Sequence, residues 1–231
     1  MEFHVGTSGY SYKEWKGHFY PEDLPANEML RYYGSLLPSV EINNTFYRMP
    51  RTHVLETWAE QVPDGFRFSV KASQRITHHK RLSNADDEVE YLITTLNALG
   101  SKLGVVLFQL PPNFKIDTSR LDDFLDLIPK GTPAAFEFRH KSWLDDDVYE
   151  LLRKRNFAWC IADTEDDEET PIISTAPWGY LRLRKPGYSR AELKEWIKRI
   201  RSKGWDRAFV FFKHEDEGSG PKLAAEFLKI A

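Results

Sequence analysis

The run Val40-Glu41-Ile42-Asn43-Asn44-Thr45-Phe46-Tyr47-Arg48 places a carboxylate in the middle of a short β-branched stretch that empties into a polar, aromatic and cationic loop. If Val40 and Ile42 face an apolar layer, the two-residue period of a strand sends Glu41 and Asn43 to the opposite side, where an ionised group is costly without a partner. Three other runs repeat the phase. Phe66, Phe68 and Val70 leave Arg67, Ser69 and Lys71 on the other face; Phe136 and Phe138 leave Glu137 and Arg139; Leu181 and Leu183 leave Arg182 and Arg184. The polar set holds more cations than carboxylates, and such a balance suits a phosphate or carboxylate gripped by bidentate arginine contacts. Glu41 or Glu137 would be the general acid or base, with Lys71 and the arginines as the anion clamp. The plainer reading is that both glutamates only neutralise arginines in a polar core.

These residues need strands in a fixed relation to one another. Candidate strands are Phe3–Thr7, Val40–Asn43, Phe66–Lys71, Val105–Gln109, Ala134–Arg139, Phe157–Ala162, Tyr180–Arg184 and Ala208–Lys213. Helical periodicity fits Asn27–Leu36, His53–Gln61, Asp86–Leu99, Ser119–Leu127, Asp146–Lys154, Ser189–Ser202 and Gly220–Ile230. Alternating strands and helices imply parallel pairing, and eight units imply a closed (β/α)₈ TIM barrel forming one domain over residues 1–231. An open doubly wound sheet is the competitor, but Gly6-Thr7-Ser8-Gly9-Tyr10 lacks the G-x-G-x-x-G turn. Between the sixth and seventh strands the acidic run Asp163–Glu169 reads as a solvated loop.

In a barrel the C-terminal strand ends form the mouth that holds the site. Lys71, Arg139, Arg182 and Arg184 come late in their strands, whereas Arg67 comes early, near the floor. Tyr10, Tyr12, Trp15, Phe46, Tyr47, Trp143 and Tyr188 follow strand ends, where rings can stack on a sugar or base. Arg48, Gln109, His140, Asp163, Lys213 and His214 complete the candidate binding residues.

With 231 residues, 41% hydrophobic and 14% aromatic, the chain can bury a large core and is not disordered. A formal net charge of -3 gives no global basic field of the kind that marks a nucleic-acid binder. Cys160 is the only cysteine, which excludes an intrachain disulfide framework and fits a reducing compartment. No apolar run spans a bilayer and no signal peptide is evident, so the expectation is a cytoplasmic protein without a membrane partner. His78-His79 lacks metal-ligand spacing, and a set of Glu41, Glu137, Asp163 and His214 would sit among cations. Neither a metal nor a cofactor is expected.

Gly6-Thr7-Ser8-Gly9-Tyr10, Trp15-Lys16-Gly17-His18-Phe19-Tyr20-Pro21, the Val40–Arg48 run, Thr77-His78, Gln109-Leu110-Pro111-Pro112 and Glu137-Phe138-Arg139-His140-Lys141-Ser142-Trp143 together resemble the YecE-like family. The resemblance covers nearly the whole chain and implies a TIM barrel; the family brings no established reaction. Two departures stand out. The family pattern Arg-x-His-Gly at the seventh strand reads Arg182-Leu183-Arg184-Lys185, and the paired asparagines of the eighth read Lys213-His214-Glu215. Either His214 takes over the role of the lost imidazole or this branch binds a different ligand.

The expected function is an enzyme, a hydrolase, lyase or isomerase, acting on a small anionic substrate by glutamate acid-base chemistry. Nucleic-acid binding or processing is the alternative, by analogy with TIM-barrel endonucleases, and is not favoured. A non-catalytic ligand sensor is the third reading.

Overall fold

A computed structural model describes residues 1–163, 171–213 and 216–231. Eight parallel strands appear in chain order: β1 (Glu2–Ser8), β2 (Ser39–Ile42), β3 (Arg67–Lys71), β4 (Leu103–Gln109), β5 (Ala134–Glu137), β6 (Ala158–Asp163), β7 (Trp178–Leu183) and β8 (Arg207–Phe212). They close into a barrel in which each pairs with its sequence neighbours and β8 returns to β1, so no strand edge is left open. The helices are α1 (Met29–Leu36), α2 (Thr52–Gln61), α3 (Asp86–Leu96), α4 (Thr118–Leu125), α5 (Asp146–Lys154), α6 (Arg190–Arg201) and α7 (Ser219–Ile230). Among the described residues no helix stands between β6 and β7. The acidic run from Thr164 onward lies outside the described residues, as does His214.

Local chemistry accounts for where several helices begin. Asp117 accepts from the Arg120 N–H at 3.0 Å and Asp145 from the Asp147 N–H at 2.9 Å, satisfying donors that the first turn leaves free. Ser189 and Glu192 form a reciprocal capping box at α6. Each such cap is worth about 1 kcal/mol. The helix expected to reach Leu99 is α-helical to Leu96 and tightens to a 3-10 turn from Asn97, which is interrupted after Leu99 because Gly100 takes φ 53°. The fifth strand ends at Glu137 rather than Arg139, since β5 pairs with β6 only through Ala135 and Phe136.

Strand alternation sorts the side chains into two cores. Outside the barrel, Val40, Ile42, Phe68, Val70, Phe136, Leu181 and Leu183 pack against helix residues such as Leu30, Leu55, Leu92 and Phe124. Inside, Val105, Leu107, Ala135, Cys160, Trp178, Tyr180, Phe209 and Phe211 fill the lumen with a second apolar cluster. The floor is basic: Arg67 donates to the carbonyls of Asp64 and Phe66, and His4 stacks on Phe209. Burial first, then the charges of Arg67 and Arg207, holds the His4 imidazole below its ordinary value despite Glu2. The lumen is therefore a packed plug, and polar chemistry is confined to the layer above it.

One close approach sets the β1–β2 junction. Gly6 pairs with Ser39, and a Cβ on Gly6 would sit 1.8 Å from the Ser39 carbonyl oxygen. The Tyr33 hydroxyl occupies the same crevice, donating to that oxygen at 2.9 Å and accepting from the Thr7 N–H at 2.9 Å. No helix among the described residues is long and apolar enough to cross a membrane.

Candidate anion site at the barrel mouth

The charged layer is organised around Arg182, which β7 carries into the centre of the barrel. It is 3% exposed, and its two terminal nitrogens bridge carboxylates from opposite walls: Nη2 donates to Glu41 Oε1 at 2.8 Å and Nη1 to Glu137 Oε2 at 2.6 Å. Burial alone would lower this guanidinium, but Glu41 and Glu137 outweigh it and the net shift is upward. Glu41 is fully buried and fully engaged. Its Oε1 also accepts from Ser8 Oγ at 2.7 Å and Asn43 Nδ2 at 3.0 Å, while Oε2 accepts from the Tyr180 hydroxyl at 2.7 Å. Glu137, also buried, accepts from Arg139 Nε at 3.1 Å and from Arg184 Nη2 at 3.1 and 3.2 Å.

The structure sets Glu41 and Glu137, the expected acid-base groups, among arginine partners. Glu41 accepts from four donor atoms and Glu137 from three, and neither glutamate is among the residues lining the cavity above. Both hold arginine side chains in place, with paired charge in the low-dielectric interior offsetting the cost of burial.

Above them opens a cavity of about 360 Å³, lined by Ser8, Tyr12, Asn43, Phe46, Tyr47, Lys71, His78, Gln109, Arg139, Arg182, Arg184 and Lys213. The expected Asn43, Tyr47, Lys71, Gln109, Arg139, Arg182, Arg184 and Lys213 thus meet in one place. Ser8, Tyr12, Phe46 and His78 join them. Tyr12 and Phe46 had a signal as aromatics after strand ends, whereas Ser8 lay beyond the expected first strand, which extends through it into register with Glu41. His78 arrives through a short π-helical turn, Arg75–His79, which no periodicity announces.

Other expected residues lie elsewhere, for packing reasons. Trp15 and Trp143 are fully buried and cannot stack on a ligand; Trp143 Nε1 donates to the Phe114 carbonyl at 2.6 Å and its ring stacks on Phe138. Tyr10 packs against Tyr33 and Trp58, and burial pushes its phenol up to about 12. His140 caps its own turn through the Ser142 N–H. Asp163 accepts from the Tyr188 hydroxyl at 2.7 Å, with Lys185 Nζ at 3.6 Å. Arg48 lines a neighbouring groove with Met49, Ser73, Arg75 and Tyr91.

Among the described residues, five Lys and Arg side chains line the cavity and no carboxylate does. Two groups feel this directly. Burial and then Lys71 and Arg139 hold the His78 imidazole below its ordinary value. Burial and then Arg182 push the Lys71 amine down to about 8, against a weaker upward pull from Glu137 and Glu41. Lys71 Nζ lies 4.0 Å from the Phe46 ring centroid, a contact worth about 0.5–1 kcal/mol to the ammonium. Because the folded value is below the ordinary one of about 10.4, the ammonium penalises the folded state at neutral pH. That penalty is relieved as pH rises from about 8 toward 10.4. Urea denaturation is expected to show wild type gaining stability over Lys71→Met across this window, and parallel curves would contradict it.

Among the described residues no three His, Cys, Asp or Glu side chains gather where they could hold a metal ion. Burial, then the charge of Glu137, keeps the Cys160 thiol well above its ordinary value, consistent with a core position in the lumen.

Comparison with known proteins places this geometry in a family. The chain is 30% identical over 157 residues to the UPF0759 protein YunF of Bacillus subtilis, covering 64% of this chain and 54% of that protein. It is 34% identical over 112 residues to the UPF0759 protein YecE of Escherichia coli K12, covering 48% and 41%. The matches therefore span about half the length of these curated relatives. A crystal structure of a DUF72 family protein from Thermotoga maritima superposes with TM-score 0.86 at 27% identity, covering 100% of this chain and 99% of that one. A DUF72 family protein from Enterococcus faecalis, 19% identical, shares the fold with TM-score 0.81 over 99% and 94%. The model of the family described as "Protein of unknown function DUF72" matches residues 4–231, and the chain belongs to that family.

Proposed function

We propose that the barrel mouth binds a small anionic substrate, phosphorylated or carboxylated, and that the protein is an enzyme acting on it. The observation that carries this reading is the lining of the cavity, with Lys71, Arg139, Arg182, Arg184 and Lys213 and, among the described residues, no carboxylate. Glu41 and Glu137 already share Arg139, Arg182 and Arg184, which leaves Lys71 and Lys213 without an acidic counterpart among the described residues. An anion entering the cavity would supply the missing charge, and guanidinium forks held from beneath lose little freedom on binding it. Tyr47, 76% exposed at the rim, offers a face to the rest of such a molecule.

A cavity of about 360 Å³ is at the lower end for small-molecule sites and suits a compact metabolite better than a nucleic-acid strand. Thermal-shift titration tests the reading with inorganic phosphate, sulfate, pyruvate and citrate against chloride at matched ionic strength. A ligand present at 100 times its Kd stabilises by about 2.7 kcal/mol. At least one anion is expected to raise Tm, and Lys213→Gln to weaken its binding several-fold. Equal responses to every anion, or tight salt-dependent binding of oligonucleotides with no small-anion effect, would overturn it.

A further inference from the structure

Lys71 differs from the other cations of the mouth in what holds it. Arg139, Arg182 and Arg184 each donate to a buried glutamate. The amine of Lys71, the last residue of β3, makes no hydrogen bond or ion pair among the described residues; it sits over the Phe46 ring and faces the cavity. A lysine meant only to grip an anion gains from staying charged. One half-buried and crowded by guanidinium groups is in surroundings that favour a neutral, nucleophilic amine, and these outweigh the pull of the Phe46 ring toward the ammonium.

We propose that Lys71 is a catalytic nucleophile that forms an imine with a carbonyl group on the bound anion, making the substrate class a small oxo acid or an aldehyde or ketone phosphate. This rests on the anion reading and narrows it. The Nζ lone pair forms a bond to the carbonyl carbon while the C=O π pair moves to oxygen, giving a carbinolamine once a proton passes from nitrogen to oxygen. Loss of the hydroxyl as water, with the second amine proton, leaves the C=N bond. Both amine protons end in the water released, and no oxidant, reductant or co-reactant is needed. The arginine forks beneath would hold the phosphate or carboxylate so that its carbonyl reaches Nζ, and the cationic wall would assist departure of the oxygen by stabilising its developing charge. The lowered amine value, about 8, gives an appreciable neutral fraction at physiological pH.

The test is reductive trapping. Wild type, Lys71→Arg and Lys71→Met are incubated with pyruvate, glyoxylate or glyceraldehyde 3-phosphate plus borohydride, and adducts are located by peptide mass spectrometry. Wild type should take up one equivalent at Lys71, saturably and with competition by inorganic phosphate, at least 10-fold faster than at any other lysine. Lys71→Arg, which keeps the charge and the fold, should take up none at this site. Labelling spread evenly over surface lysines, or unchanged in Lys71→Arg, overturns the proposal. If anions raise Tm but no carbonyl compound traps Lys71, the imine fails while the anion reading stands. If no anion binds, both fall.

Discussion

Arg182→Met is expected to cost the fold about 3–5 kcal/mol, the range for leaving a buried charge without its partner. The penalty falls mainly on Glu41. Glu137 would keep Arg139 and Arg184, but Glu41 would retain only neutral donors, Ser8, Asn43 and Tyr180, at a fully buried position. Neutral donors lower the cost of a buried carboxylate without cancelling its charge. For a chain of this size the loss corresponds to a fall in Tm of roughly 6–20 °C. The double variant Arg182→Met with Glu41→Gln should recover a large part of it, because the stranded charge is then absent; Glu41→Gln alone leaves Arg182 still paired with Glu137. Urea denaturation of the three variants reads this directly. An Arg182→Met protein within about 1 kcal/mol of wild type would mean that water reaches Glu41 easily and that the layer is not a buried charge network.

Gly6→Ala is expected to be nearly as damaging, through shape rather than charge. A single methyl at this position would lie 1.8 Å from the Ser39 oxygen and 2.8 Å from the Tyr33 hydroxyl. The first is backbone in a paired strand, so it cannot swing away. Either β1 and β2 separate or the Tyr33 hydroxyl abandons its bonds to Ser39 and Thr7. Overpacking of this kind costs about 1–3 kcal/mol, and an encounter with backbone belongs at the top of that range. Ser8 reaches Glu41 from the end of the same strand, so the variant should also bind anions more weakly than its stability alone explains. Denaturation and the anion titration together separate the two effects. Stability unchanged within about 0.5 kcal/mol would show that β1 has room to move.

The barrel was legible because its strands obey a two-residue period in both directions. Phe68 and Val70 announce an outer apolar layer, and the residues between them announce what the lumen holds. The same rule, carried two residues back from Arg182, marks Tyr180 as inward, where its hydroxyl meets Glu41. The loops were less readable. Trp15 and Trp143 have the composition of a stacking platform, yet aromatic rings after a strand can as readily plug the gap between barrel and helix. His78 was legible as a residue but not as a site member, because a π-helical turn decides which way it points. Whether a glutamate moves protons or holds an arginine depends on which donors converge on it from other strands, as β1 and β7 supply them to Glu41, and that is a property of three-dimensional assembly.

The Arg182 bridge also bears on how divisible this chain is. Its partner Glu41 lies 141 residues away along the sequence, and Glu137 lies 45 away. A fragment ending after the fourth strand would contain Glu41 but no Arg182, and would have to shelter a carboxylate that only the second half of the molecule can neutralise. The two halves therefore cannot each keep a complete interior. A split protein or an exchanged half-barrel would inherit an unneutralised charge, and the Arg182–Glu41 bridge joins residues with a long chain separation to bridge.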